Sequence, residues 1–244
     1  MLNREQLRSF AADGYLVIPD VVPPDLLSIA TREIDALITK DPPPKDHRGQ
    51  HFYWQRLQDR DPFLRILLDS NAFAIAESLI APGKLEIPTQ AQIALNLPPF
   101  SHRPGGPHID GASPPEPSGR PGTFTMLAGI LLSDQSSEDT GNLWVWPGTH
   151  LAHEAYFRER GPEALLESKG YPPIELPAPS QILGRAGDLL LSHYMLGHNI
   201  GGNTSSIIRR ALYFRLVREG HRDRWRDCVR DAMLEFDAVR AELA

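Results

Sequence analysis

Apolar residues recur at helical spacing toward both ends of the chain and at alternate positions through its middle, and this change of period organises everything else. Near the start, Asn3 followed by Gln6 makes a capping-box pair. Leu7 and Phe10 then give a short amphipathic turn that closes at Asp13-Gly14, predicting a first helix. The apolar run 15–18 predicts a strand, and Pro23-Pro24 a break. Residues 25–38 predict a second helix with Leu26, Ile29, Ile34 and Leu37 inward. Segment 41–49 carries three consecutive prolines and cannot continue that helix. Helical spacing returns over 62–80 through Phe63, Leu67, Phe73 and Ala76. Period two then takes over, with strands predicted at 89–97, 124–134, 143–146, 188–193 and 211–217 between loops heavy in Gly and Pro. A last helix is expected over 223–243, with Trp225, Val229, Met233, Phe236 and Val239 at helical spacing as a lid on the outer sheet face. Many short strands joined by turns predict a mainly β fold with flanking α-helices, a jelly-roll or barrel. One domain is expected over 1–244: a mostly helical part at 1–80, the jelly-roll core at 85–218 and a C-terminal helix at 222–244. The Pro-rich loop 113–121 is the one low-complexity feature.

Composition narrows the partners. The chain of 244 residues can bury a sizeable core without cross-links. A net charge of -6 supplies no basic field for nucleic acid or an acidic membrane surface, so a small-molecule partner is expected. Cys228 is the single cysteine, which excludes an intramolecular disulfide and fits a reducing cytoplasm. The N-terminal residues read as a capped helix, not as a charged leader before an apolar run, and no apolar stretch is long enough to span a bilayer.

The sharpest chemical signal is Gly105-Gly106-Pro107-His108-Ile109-Asp110-Gly111. Residues two apart on extended chain point the same way, so the His108 imidazole and the Asp110 carboxylate converge from one face. They supply two of the three ligands of the facial triad that holds iron(II) in oxygenases. A lone His-x-Asp is common in soluble proteins, so a third ligand far downstream is required, and His193 and His198 both offer themselves. Their parity is opposite, so a straight strand turns at most one of them inward. His198 opens a Gly-rich turn and is the better placed, leaving His193 as a packed or supporting residue. On the next apolar strand, alternation puts Arg209 and Arg215 on one face and Arg210 on the other. A guanidinium pointing into a barrel is costly unless it captures a carboxylate, which its planar fork suits, whereas a solvated strand arginine needs no such partner.

Four separated segments make the resemblance specific: Phe10-Ala-Ala-Asp-Gly14-Tyr15-Leu-Val-Ile-Pro19, Pro107-His108-Ile-Asp110, Gly141-Asn-Leu-Trp-Val-Trp-Pro147-Gly148-Thr149-His150, and Gly187-Asp188 through His198 to Arg209. In that order, and across almost the whole chain, the sequence resembles the phytanoyl-CoA dioxygenase family of 2-oxoglutarate-dependent oxygenases. The resemblance implies a double-stranded β-helix of cupin-like form. It implies iron(II) on His108, Asp110 and His198, Arg209 on the distal carboxylate of 2-oxoglutarate, and O2 as the oxidant. His150 would be a structural residue at a strand end. Ile109 stands where the family often has Gln, and Asn199 and Ile200 where it often has Ser, so further contacts to the cosubstrate do not carry over directly. By strand parity Gln90, Gln92 and Asn96 share a face, and Gln92 and Asn96 are candidates for those contacts. Tyr53, Trp54 and Arg56 lie in a segment that approaches the active site in similar proteins; they would wall the substrate pocket or simply pack.

The activity so implied is hydroxylation of an unactivated carbon with release of succinate and CO2. Halogenating relatives replace the carboxylate ligand by a small residue, and Asp110 argues instead for hydroxylation or desaturation. Two other readings use the same residues. A zinc hydrolase would activate water on the three ligands, but no glutamate adjoins them to act as base. A jelly-roll binding module with a vestigial metal site would have no need of intact ligands and Arg209.

Overall fold

Asn3 caps the chain's first helix as its side chain requires: the Gln6 amide donates to Asn3 Oδ1 at 2.8 Å, and the Asn3 amide to Gln6 Oε1 at 2.9 Å. Such a cap contributes about 1 kcal/mol. The structure, a computed structural model, describes residues 2–111, 118–167 and 171–244. Most of the Pro-rich loop 113–121 therefore lies outside the described residues.

Helix α1 (Arg4–Asp13) leads into β1 (Tyr15–Ile18), α2 (Pro24–Lys40), β2 (Gly49–Arg56), α3 (Pro62–Asp69) and α4 (Ala72–Ile80). The strand-rich body follows as β3 (Gln90–Leu97), β4 (Met126–Leu131) and β5 (Leu143–Val145), then α5 (Thr149–Arg160), α6 (Ala164–Glu167), β6 (Ser180–Gln181), β7 (Leu189–His193), β8 (His198–Ile200) and β9 (Arg209–Leu216). Helices α7 (His221–Arg230) and α8 (Asp237–Leu243) close the chain. The larger sheet has strand order β1-β7-β4-β9-β3-β2 with antiparallel pairs throughout, and the smaller has order β6-β5-β8. This is the mainly β jelly-roll with flanking helices that the alternating pattern predicts, in the double-stranded β-helix form that the resemblance implies.

Along the larger sheet, alternate residues divide as period two demands. Ile93, Leu95, Leu212, Phe214 and Leu216 point outward and are buried, and the helices cover that side. Each such side chain stabilises the fold by about 1.5–3 kcal/mol. The opposite, inward face carries the chemistry. One register row across it reads Trp54, Gln92, Tyr213, Gly129 and Leu190; the next reads Phe52, Ala94, Ala211 and Leu131, and the one beyond it Gln50, Asn96 and Arg209.

Several elements depart from the pattern. Residues 1–80 supply both edge strands of the larger sheet, because β2 pairs with β3 along its full length and β1 with β7. The helical stretch 62–80 is two helices: Ser70 Oγ accepts from the Ala72 amide at 3.2 Å, and this local bond competes with a continuous helix. The expected C-terminal helix is also two. Asp231 ends the first by accepting from the Met233 amide at 3.1 Å through Oδ1, while its backbone oxygen takes the Leu234 amide at 3.0 Å. His150, expected at a strand end, stands instead in the first turn of α5, a helix the apolar pattern does not announce.

Candidate metal centre

The strand segment around His108 lies antiparallel beside β8. The His108 amide donates to the His198 carbonyl at 2.9 Å, and the His198 amide returns a bond to the His108 carbonyl at 3.0 Å. Directly opposed residues place their side chains on the same face, and the two imidazoles stand 4.4 Å apart. Asp110, two residues on from His108, faces the same way. Its Oδ1 is 3.5 Å from His108 Nε2 and 3.8 Å from His198 Nε2. One ligand atom from each residue falls within 4.8 Å of the others, which is a cage for one cation.

Electrostatics hold these groups in the forms a cation needs. His198 Nδ1 lies 2.9 Å from the Leu196 carbonyl, which can only accept, so Nδ1 carries the proton and Nε2 keeps its lone pair toward Asp110. Burial lowers the His198 pKa, opposed in part by Asp110, and favours the neutral ring. For Asp110 burial works against ionisation, but the hydrogen bond from His108, the neighbouring His198 and the Arg215 guanidinium outweigh it. Its carboxyl is held well below the usual carboxylate range.

A cavity of about 90 Å³ opens from this cage into the barrel, with Leu127, Leu143, Ile200, Arg209, Tyr213 and Arg215 on its walls. Arg209 is 1% exposed. Its Nε donates to Gln135 Oε1 at 3.0 Å and its Nη2 to the Tyr213 hydroxyl at 2.5 Å. Arg209 Nη1 and Gln135 Nε2 are buried with no partner among the described residues. Unpaired buried donors are expensive, and that of Arg209, which lines the cavity, suits a carboxylate entering from it. A larger cavity of about 300 Å³ adjoins the first and shares Gln92, Leu127, Tyr213 and Arg215 with it.

The structure brings His108, Asp110, His198, Arg209 and Gln92 to one cavity, and leaves Asn96 behind it. The Asn96 amide is spent on the Gly201 carbonyl at 2.8 Å, beside the aliphatic stem of Arg209 at Gly141. Trp54 walls the larger cavity, but Tyr53 faces the opposite side of β2 and donates its hydroxyl to the Asp41 carbonyl at 2.6 Å; Arg56 shares Trp54's face without lining either cavity. His193 is packed: Nε2 reaches the Ala232 carbonyl at 2.8 Å and Nδ1 accepts from the Met195 amide at 3.0 Å. It is separated from His198 by a change of sheet between β7 and β8, so strand parity does not relate the two residues.

Sequence reasoning missed Tyr213, Gln135 and the role of Arg215. Tyr213 lies between Arg209 and Arg215 in the inward alternation, which was signal enough. Gln135 is in a loop and had none. Arg215 donates from Nε and Nη2 to Asp110 Oδ2, at 3.2 and 2.8 Å. A second group of metal-binding residue types, His221, Cys228 and Glu235, is wholly buried. There both histidine nitrogens are engaged, with Glu235 at 2.7 Å and Thr123 at 2.9 Å, and burial pushes the Cys228 thiol up. That group ties α7 to the barrel.

The family model described as Phytanoyl-CoA dioxygenase (PhyH) matches residues 10–211, most of the chain. The chain belongs to that family. A search of curated protein sequences found no match. Among solved structures, this phytanoyl-CoA dioxygenase family chain is similar to HygX from Streptomyces hygroscopicus, crystallised with nickel and 2-oxoglutarate. The TM-score is 0.61 at 21% identity, covering 88% of this chain and 86% of HygX. It is also similar to SnoN, the epimerase of nogalamycin biosynthesis, in complex with Fe3+, alpha ketoglutarate and nogalamycin RO. Here the TM-score is 0.63 at 18% identity, covering 87% and 82% of the two chains. EctD from S. alaskensis, in its apoform, has a TM-score of 0.55 at 16% identity, over 87% of this chain and 76% of its own. At such identities the likeness is one of fold, so the family member's own site must carry its function.

Proposed function

We propose that this chain is an Fe(II)- and 2-oxoglutarate-dependent dioxygenase that hydroxylates an unactivated carbon of a small organic molecule, releasing succinate and CO2. One observation carries the reading: a cage of two imidazoles and one carboxylate opens into the same cavity as a buried arginine with a spare donor. When bound, iron(II) with its cosubstrate and O2 supplies the oxidising chemistry that ordinary side chains lack. His108, Asp110 and His198 would hold the ion, and Arg209 would take the distal carboxylate of 2-oxoglutarate through Nη1, with Tyr213 and Gln135 fixing its plane. Gln92, at the boundary of the two cavities, is placed to touch either cosubstrate or substrate. Leu127, Leu143 and Ile200 keep the cavity walls apolar and exclude water.

The donor set supports iron over a zinc hydrolase, because Asp110 is the sole carboxylate among the described residues lining the cavity and is already committed to the cage. Neighbours crystallised with hygromycin B or nogalamycin RO support a small-molecule substrate. Since the neighbours include an epimerase and a carbocyclase, hydroxylation is tested by the product. The purified chain should bind Mn(II), and then 2-oxoglutarate, in calorimetry. With Fe(II) and O2 it should release succinate and add one oxygen atom to a turned-over metabolite. Absence of 2-oxoglutarate binding to the metal-loaded chain would overturn the proposal, and an isomeric product would replace hydroxylation by rearrangement.

A further inference from the structure

We propose that Arg215 is a positioning residue for the metal centre: it pins one oxygen of Asp110 so that the carboxylate presents only the other to the ion. The inference rests on the iron reading above. The two oxygens of Asp110 have separate neighbours. Oδ1 is the atom near both histidine Nε2 atoms, at 3.5 and 3.8 Å, while Oδ2 receives both Arg215 donors, at 3.2 and 2.8 Å. A carboxylate free to turn can ligate a cation through one oxygen or through both. Three single-atom ligands on one face are what leave the remaining positions to cosubstrate and oxygen. Arg215 is itself held, with its guanidinium carbon 5.0 Å from the Trp54 ring centroid and 5.6 Å from that of Phe124. Two aromatic rings from separate segments thus fix its plane, and its planar fork then fixes the carboxylate.

A second force acts in the opposite direction. A cation beside the ligand repels the metal, so a purely electrostatic Arg215 would weaken metal binding and its removal would strengthen it. Partners that orient a metal ligand contribute instead, and losing one typically weakens metal binding by roughly 10–100-fold. The sign of the change separates the two roles.

The test is calorimetric affinity for Mn(II), read alongside 2-oxoglutarate affinity at saturating Mn(II). R215Q should weaken Mn(II) binding by at least roughly 10-fold, and R215K, which keeps the charge but loses the fork, by less. W54L removes the shelf from a half-exposed site with little risk to folding, and should weaken Mn(II) several-fold by the same route. R222Q, which breaks an exposed ion pair with Glu86 on the rim of the larger cavity, should leave Mn(II) affinity unchanged. Mn(II) binding by R215Q as tight as, or tighter than, that of the unaltered chain overturns the inference alone. Failure of the unaltered chain to bind Mn(II) overturns the metal centre and this inference together.

Discussion

A guanidinium buried as deeply as that of Arg209 needs a partner for every nitrogen, and among the described residues it has them for two of three. Arg209→Met removes a charge-assisted, fork-shaped grip while keeping the volume. We expect 2-oxoglutarate affinity to fall by about 100-fold or more, on the order of 3 kcal/mol, with Mn(II) affinity unchanged; calorimetry with each ligand in turn checks both. Gly129 has a related role. A Cβ there would lie 2.6 Å from Tyr213 Cε1, so Gly129→Ala should push the tyrosine ring off the arginine at a cost of about 1–3 kcal/mol. The expected result is weaker 2-oxoglutarate binding with an intact metal site, again measured by calorimetry. At this scale the sequence was readable where a rule of spacing applied. His108 and Asp110 are two apart on one extended segment, and Arg209 has the inward parity of its strand. The link from Arg215 to Asp110 was hidden because it depends on which loop folds back against β9. Strand parity does not set His193 against His198, since the chain changes sheets between the two histidines; the Gly-rich turn after His198 is the feature that separates them.

Among the elements, those with a single apolar face were visible and those that bury polar atoms were not. Strand β2, Gly49–Arg56, exposes Phe52 and Trp54 toward the cavities and gains its place by pairing, so its own residues show no apolar alternation. Helix α5 turns Thr149, His150 and His153 inward, and no rule of hydrophobic period finds it. Helix α7 is anchored by polar groups as well: His221 and Glu235 meet at 2.7 Å with side chains 0% and 4% exposed, and Thr125 donates to the same Glu235 oxygen at 2.8 Å. His221→Ala takes from the buried Glu235 its imidazole partner and leaves it the Thr125 hydroxyl, a change that costs about 3–5 kcal/mol. A domain of this size loses about 2–4 °C of melting temperature per kcal/mol, so thermal denaturation should fall by roughly 10 °C. A shift within a degree of the unaltered chain would show that the pair contributes no net stability.

Across the whole molecule, three buried imidazoles tie α5, β7 and the turn after α7 together. His150 and His153 are pushed down by burial to about 4, and His193, buried beside His150, lies well below its ordinary value for the same reason. Each uses a nitrogen on a backbone carbonyl, of Ala11, Met195 and Ala232 respectively. In the unfolded chain these rings take up protons near pH 6.5. Above that pH both states are neutral and the rings leave stability flat. Between 6.5 and about 4 the unfolded chain binds protons that the folded one refuses, so stability falls as pH falls, by about 1.4 kcal/mol per pH unit for each ring. Urea midpoints from pH 7 to pH 4.5 should record this decline, and His153→Gln should make it shallower. A midpoint constant over that range would mean that the rings are protonated in place.

The paired amides of His108 and His198 have a last consequence. Because two backbone bonds already clasp the ligand-bearing segments, the cage is preorganised, and an incoming ion need not fold anything around itself. Metal should then raise stability by mass action alone, about 2.7 kcal/mol at a hundred times its dissociation constant, and chelation should return a fully folded apoprotein with an unchanged circular dichroism spectrum.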